Sequence, residues 1–308
     1  MIRNMRKTFH LCLSGGDEVI FRDTEDYHRG FNTLALALYK SDSVGLVESI
    51  MSTHLHTLVQ TSAPDRFMYY FRNSYSKYFN SKYLRRGRLG EKGYFSLEVV
   101  GYHHTLAAAS YVLRNAVHHG VAPTPFAYRH SSANAIFRKE TGKSDVTGNL
   151  PLKSYYKYLP KGTTCPSGYI MDSSGLIKRE SVLDLADIEH MFGTPRSFLF
   201  YMNRLSGEEW RREQEKDNNS SAPVSLDMIE RNVSFQNLSE MLNHESGRSN
   251  YKVLTDIELC SLVDKEILPL RGKRSIYELS VHEKLELLKQ ICTKTHIPES
   301  RVCRCLAM

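Results

Sequence analysis

The chain has 308 residues, 41% hydrophobic and 24% charged, enough to bury one large core or two modest ones, which excludes a disordered polymer. No run of about 18 apolar residues occurs and no secretory succession opens the chain, so a soluble, cytoplasmic protein with no membrane partner is expected. The six cysteines (Cys12, Cys165, Cys260, Cys292, Cys303, Cys305) form no Cys-x-x-Cys pair, which argues against a zinc ribbon or a disulfide framework, and the net charge of +7 lies entirely within residues 1–150.

Residues 8–13 alternate around β-formers and end at Ser14-Gly15-Gly16, predicting a strand and a tight turn. Asp23 to Lys40 carries Phe31, Leu34, Ala35 and Leu38 at helical spacing, and two strands, Val44 to Met51 and His54 to Gln60, follow it. Ala63 to Tyr83 returns to helical period with a broad aromatic face (Phe67, Phe71, Tyr75, Tyr78, Phe79), then a glycine-rich basic loop leads into a strand from Tyr94 to Val100. Tyr102 to His119 predicts a helix stopped by Gly120, with Pro123 beyond. The order β-α-β-β-α-β-α builds an α+β fold, a ferredoxin-like antiparallel sheet with packed helices, ending near residue 150.

Beyond it the chain is expected to be mainly α-helical. Residues 151–221 form an accessory region with helices over Arg179 to Met191 and Arg196 to Asp217, a capping box at Ser206 and Glu209, and a linker from Asn218 to Pro223. Residues 222–308 include helices from Leu279 to Ile291 and from Pro298 to Leu306. These two resemble the first pair of a helix-turn-helix whose third element is missing, or else a plain packing or dimerisation element.

The most informative stretch is Met51-Ser52-Thr53-His54-Leu55-His56-Thr57-Leu58-Val59. Histidines at i and i+2 on a strand project from one face, where two imidazoles can share a divalent metal if a third ligand arrives from across that face. Alone, such a pair is also what two ordinary strand histidines look like. The helix Tyr102 to His119 places Tyr111 and Asn115 one turn apart, alongside His104, Ala108 and His118, with Leu106, Leu113 and Val117 opposite to seat it on the sheet. Arg66, Arg72, Lys77, Lys82, Arg85, Arg86, Arg88 and Lys92 fall in one stretch whose density suits phosphate contact, although a solvated helix face has the same composition. Tyr69 or Tyr83 could stack on bases if exposed.

At these residues the sequence resembles the single-tyrosine HUH transposases, particularly the REP-associated tyrosine transposases, over roughly residues 8–140. Met51 to Val59 looks like the family's Met-Pro-Asn-His-Val-His-Leu-Leu-Val strand. Arg86-Gly87-Arg88-Leu89-Gly90 with Gly93-Tyr94-Phe95 is similar to its basic glycine-containing loop and strand. Ala109 to Val117 resembles its Arg-Tyr-Ile-x-x-Asn-Pro-Val helix end, and Tyr128-Arg129-His130-Ser131-Ser132 its Tyr-x-Trp-Ser-Ser. Three departures stand out: Ala116 where proline is usual, Thr53 where asparagine is usual, and no tryptophan in the loop.

The resemblance implies a Mg²⁺ or Mn²⁺ ion on His54, His56 and Asn115, and Tyr111 as the nucleophile. It further implies single-stranded or hairpin DNA as substrate, nicked and transferred through a 5′-phosphotyrosine. A monomer or a homodimer would serve equally. The competing expectations are a domesticated, non-catalytic DNA-binding protein and a metal-dependent nuclease that has no use for Tyr111.

Overall fold

The computed structural model describes residues 5–142, 148–203, 212–217, 228, 254–295 and 297–308. The elements expected in the first half are present within a residue or two of the sequence-based limits. They are β1 (Lys7–Ser14), α1 (Thr24–Lys40), β2 (Val44–Ile50), β3 (His54–Thr61), α2 (Pro64–Lys82), β4 (Phe95–Val99) and α3 (Tyr102–His118). The four strands form one antiparallel sheet in the order β2-β3-β1-β4, the arrangement that two interlocked split β-α-β units generate.

Strand alternation divides the side chains between two layers. Leu55 and Val59 of β3, with Leu11 and Leu13 of β1, face α1 and α2, where Phe67, Phe71, Tyr75 and Phe79 recur every turn as a buried stripe. Each such ring contributes roughly 1.5–3 kcal/mol by leaving water. His54, His56 and Leu58 face the other way, onto α3, whose Leu106, Val112 and Leu113 share a second core with Leu46, Val47 and Val99. Asp23 caps α1 by accepting from the Asp26 N–H. Gly101, which precedes α3, has no side chain to offer; Asp217 accepts from the His103 and His104 N–H groups at 2.9 Å and takes the place of a local cap.

Both cores continue past residue 150. Tyr155, Leu159, Met171, Ile177 and Leu183 join the α1/α2 side. Helices α4 (Leu185–Phe192) and α5 (Pro195–Asn203) bring Ile188, Phe192, Phe198 and Met202 to the α3 side. This segment is largely irregular: Arg179 to Ser181 is a 3₁₀ turn, so the helix expected from Arg179 begins only at Leu185. Arg179 lies against the buried Glu48 carboxylate of β2 at 2.6 Å, and burial holds that carboxyl above its usual pKa. The capping box at Ser206 and Glu209 and the linker from Asn218 to Pro223 lie outside the described residues.

The last segment contains α6 (Asp256–Leu262), α7 (Val281–Thr295) and α8 (Glu299–Leu306). The expected pair is therefore joined by a third helix that precedes it. Helix α6 opens with a Thr255/Glu258 capping box and runs on through a wider π turn, Val263–Ile267, ahead of Pro269. Leu259, Val263, Leu268, Leu287, Ile291, Val302 and Leu306 form its core, and Val19 joins them. Polar anchors seal the junction: Arg22 pairs with Asp264 at 2.7 Å and donates to the Cys305 carbonyl at 2.7 Å, while Ser52 donates to Asp256 at 2.6 Å. All six cysteines are free thiols.

Candidate active site

The sheet register explains how the candidate residues meet. Pairing sets Cys12 opposite His56 and Ser14 opposite His54, so the even positions of β1 and β3 line one face under α3. On α3, Tyr111 and Asn115 look back at that face. The Asn115 side chain links the two elements: His54 Nε2 lies 3.1 Å from Asn115 Oδ1, and Asn115 Nδ2 donates to the Tyr111 hydroxyl at 3.2 Å. The His56 and Tyr111 rings meet edge-on with centroids 5.4 Å apart. All four expected residues are thus in one cluster, with exposures of 2% or less.

Each histidine has its Nδ1 held by a neighbour. His54 Nδ1 lies 3.0 Å from Thr53 Oγ1, and His56 Nδ1 lies 3.0 Å from His10 Nε2, with the His10 and His56 rings stacked. The Nε2 atoms look inward, His54 toward Asn115 and His56 toward Cys12 Sγ at 3.9 Å, too long to be a strong bond. Bonding outward through Nδ1 fixes ring orientation and leaves Nε2 directed inward, the arrangement a ligating histidine requires. The 3.1 Å between His54 Nε2 and Asn115 Oδ1 is close to the roughly 3 Å edge of an octahedron with bonds of about 2.1 Å. The donor set therefore fits a divalent ion that accepts an amide oxygen. Among the described residues no cluster of three or more His, Cys, Asp or Glu side chains could hold a metal.

Burial dominates the electrostatics. It drives the pKa values of His54 and His56 well below the usual 6.5, helped for His54 by His119 and for His56 by its neighbouring histidines. It brings His10 to about 3, His118 to about 3 and His119 to about 4, with Arg114 adding to the effect on His118 and Arg304 to that on His119. All five imidazoles are neutral near pH 7, the form in which Nε2 can ligate.

Alanine at position 116 accounts for part of this neighbourhood. Without a proline there, α3 runs through His118, bringing His118 into a stack on Tyr111 at 5.2 Å and His119 to 4.8 Å from His54. Thr53 supplies the hydroxyl on His54 Nδ1, and either imidazole tautomer satisfies that hydroxyl. The residues missed from sequence are His10, Cys12, His119 and Arg304; for the first two the signal was strand parity on β1 once its pairing with β3 is known. Tyr128 to Ser132 proves structural, since Tyr128 donates to the Ile50 carbonyl at 2.6 Å and Ser132 bonds both backbone groups of Glu48.

The basic stretch divides. Lys82 is paired with Asp23, Glu25 and Asp26, Arg85 with Glu18, and Arg72 donates to the carbonyls of Glu91 and Lys92. Tyr83 is buried with its hydroxyl on Asp26, whereas Tyr69 is 63% exposed. Arg66, Lys77, Arg86, Arg88 and Lys92 remain exposed, the first two on α2, behind the sheet from Tyr111. The loop carrying Arg86, Arg88 and Lys92 folds against the His54 end of the sheet. Its Glu91 N–H donates to the Ser14 carbonyl at 3.0 Å, and at Gly90, with φ of +69°, a Cβ would fall 2.4 Å from that oxygen.

No family model matches the chain, and no curated protein matches it. Among solved structures it is similar to that of a REP-associated tyrosine transposase bound to a REP hairpin, over 48% of this chain and 90% of that one, at 14% identity and a TM-score of 0.36. A likeness of that degree fixes no activity.

Proposed function

We propose that the protein nicks and rejoins single-stranded DNA, with Tyr111 as the nucleophile and His54, His56 and Asn115 as ligands of a divalent cation, Mg²⁺ or Mn²⁺. The observation that carries the reading is the line from His54 through Asn115 to the Tyr111 hydroxyl, with His56 presented from the same strand face. When bound, the cation supplies charge withdrawal from the phosphate oxygens.

The protein's own groups do the rest. Asn115 Nδ2 donates to the Tyr111 oxygen, fixing its direction and stabilising the phenolate that forms as the proton leaves. The Tyr111 oxygen bonds to phosphorus while the bond to the 3′ oxygen breaks, and the proton that Tyr111 gives up ends on that departing oxygen, giving a 5′-phosphotyrosine and a free 3′ hydroxyl. Because one phosphoester replaces another, the reverse step with a second 3′ hydroxyl joins strands without a nucleotide cofactor. His10 and Thr53 hold the two metal-facing imidazoles in place through their Nδ1 atoms. The exposed Arg86, Arg88 and Lys92 would receive the strand at the His54 end of the sheet.

Tyr111 is 1% exposed, so a strand reaches it only after the elements covering it part. That burial favours the second reading, a DNA-binding protein that performs no chemistry. Tyr111→Phe separates the two, since it deletes only the attacking oxygen: nicking is lost and single-strand affinity is kept. Metal-dependent nicking retained by the variant would remove Tyr111 from the mechanism.

A further inference from the structure

Two buried cations of the C-terminal helices' junction are treated very differently by the fold. Arg22 is fully met, by both carboxylate oxygens of Asp264 and by the Cys305 carbonyl. Arg304, one residue before Cys305 on α8, is 7% exposed, and its Nε and Nη2 are buried with no hydrogen-bond partner among the described residues. The carboxylate within its electrostatic reach, Asp256, is already engaged, one oxygen by Arg301 at 2.8 Å and the other by Ser52 at 2.6 Å. A buried guanidinium with unmet N–H groups is costly, and a hydrocarbon of similar length would cost less.

His119, the residue that ends α3, has the complementary defect. It is 6% exposed, its Nε2 is buried without a partner among the described residues, and its ring centroid lies 4.8 Å from that of His54. The Val19 N–H donates to the Arg304 carbonyl and the Ile20 N–H to the Ser52 carbonyl, which sets Arg304 beside the turn leading into His54, the residue that His119 packs against. Nε and Nη2 form the side-on fork of a guanidinium, two parallel N–H groups spaced to meet two oxygens of a tetrahedral anion. A neutral imidazole with its proton on Nε2 adds a third donor.

We propose that Arg304 and His119 form a phosphate subsite beside His54, which grips a phosphate group of the DNA strand next to the one under attack. The identity of the strand rests on the nicking reading above; the subsite itself rests on the unmet donors. Helix α8 then belongs to the substrate site, supplying a cation some 190 residues along the chain from Tyr111.

The test uses the full chain. Thermal unfolding is measured in inorganic phosphate, in acetate and in chloride at matched ionic strength, and with a short thymidine oligonucleotide, for the wild type, Arg304→Met and His119→Gln. In the wild type, phosphate and the oligonucleotide raise the midpoint above the chloride value and acetate does not. Arg304→Met unfolds in chloride at the wild-type temperature or above, because removing a buried guanidinium whose Nε and Nη2 hydrogen bonds are unmet relieves a cost. It loses both increments and binds the oligonucleotide about tenfold or more weakly, the loss expected for one charge-assisted forked bond. His119→Gln, which keeps an amide donor, retains most of the increment. An Arg304→Met protein that unfolds earlier in chloride yet keeps the phosphate increment would show a structural cation and overturn the proposal, as would a wild type that gains nothing from either phosphate source. An increment from inorganic phosphate with unchanged oligonucleotide affinity in Arg304→Met would overturn the strand assignment. Loss of the increments in a protein that never nicks DNA would leave the subsite standing and the reaction fallen; wild-type increments in an Arg304→Met protein that nicks normally would do the reverse.

Discussion

Asp264→Ala isolates the junction between the sheet domain and its C-terminal helices. Arg22 is wholly inaccessible and makes a two-pronged pair with Asp264, Nη2 to Oδ1 at 2.7 Å and Nε to Oδ2 at 2.9 Å. Deleting the carboxylate strands the guanidinium charge, which burial opposes and which the paired Asp264 carboxylate offsets. Breaking a buried pair from one side costs about 3–5 kcal/mol. The lower end applies, because Asp264 is 20% exposed and Arg22 keeps the Cys305 carbonyl. With a urea slope of about 3 kcal/mol per molar, the midpoint drops by about 1 M. The assay is equilibrium urea unfolding followed by circular dichroism, alongside the double variant Arg22→Met/Asp264→Leu. Replacing both partners by apolar groups of similar volume leaves stability near or above the wild type. An Asp264→Ala midpoint within about 0.3 M of the wild type, or a double variant as weak as the single, would refute the reasoning.

Two further outcomes follow from the charges. Reversing Arg86, Arg88 and Lys92 to glutamate flattens the salt dependence of single-strand binding by about 0.7 in log–log slope for each phosphate no longer neutralised. Reversing Lys77, exposed on α2 behind the sheet, leaves the slope unchanged; the opposite ranking would place the DNA on α2. Acid destabilises the protein through its buried histidines. His10, His118 and His130 are lowered to about 3 and His119 to about 4, all chiefly by burial. They are neutral when folded and take protons when unfolded below about pH 6.5, so stability is full above that value and falls as pH drops toward the folded pKa values. One such histidine contributes about 2 kcal/mol of loss by pH 5. His130→Gln therefore shallows the decline in melting temperature between pH 7 and pH 5, and a slope identical to the wild type would contradict the assignment.

The parts of this architecture that were legible in the sequence are those whose physics is local. The Phe67-Phe71-Tyr75-Phe79 stripe, the Phe31-Leu34-Ala35-Leu38 spacing and the His54-x-His56 alternation each declare an element and its inward face from residue spacing alone. What spacing cannot supply is register. His10 meets His56 only because β1 pairs with β3 in one of several alignments, so its support of the site was invisible in Thr-Phe-His-Leu-Cys-Leu. The irregular segment carrying Tyr155, Met171 and Ile177 has no period to betray that it closes the first core. The basic stretch misled for the opposite reason: one run of positive residues in sequence wraps from α2 to the loop, and Arg72, Lys82 and Arg85 are consumed by local acceptors. Arg304 stands on a short helix with nothing nearby in sequence to mark it, and its meaning comes from unmet donors that only packing reveals.

In the proposed reaction Tyr111 bonds to the 5′ phosphate of the cut strand with help from a divalent ion. A single-stranded oligonucleotide that the protein nicks, labelled on the 3′ side of the cut, should become covalently attached in Mg²⁺ or Mn²⁺ and not in EDTA, and peptide mass spectrometry should locate the adduct on Tyr111. The 5′ fragment should leave with a free 3′ hydroxyl, and its excess should regenerate the intact strand. Attachment to another residue, an adduct formed equally in EDTA, or free 5′-phosphate product with no adduct at any time would contradict the account.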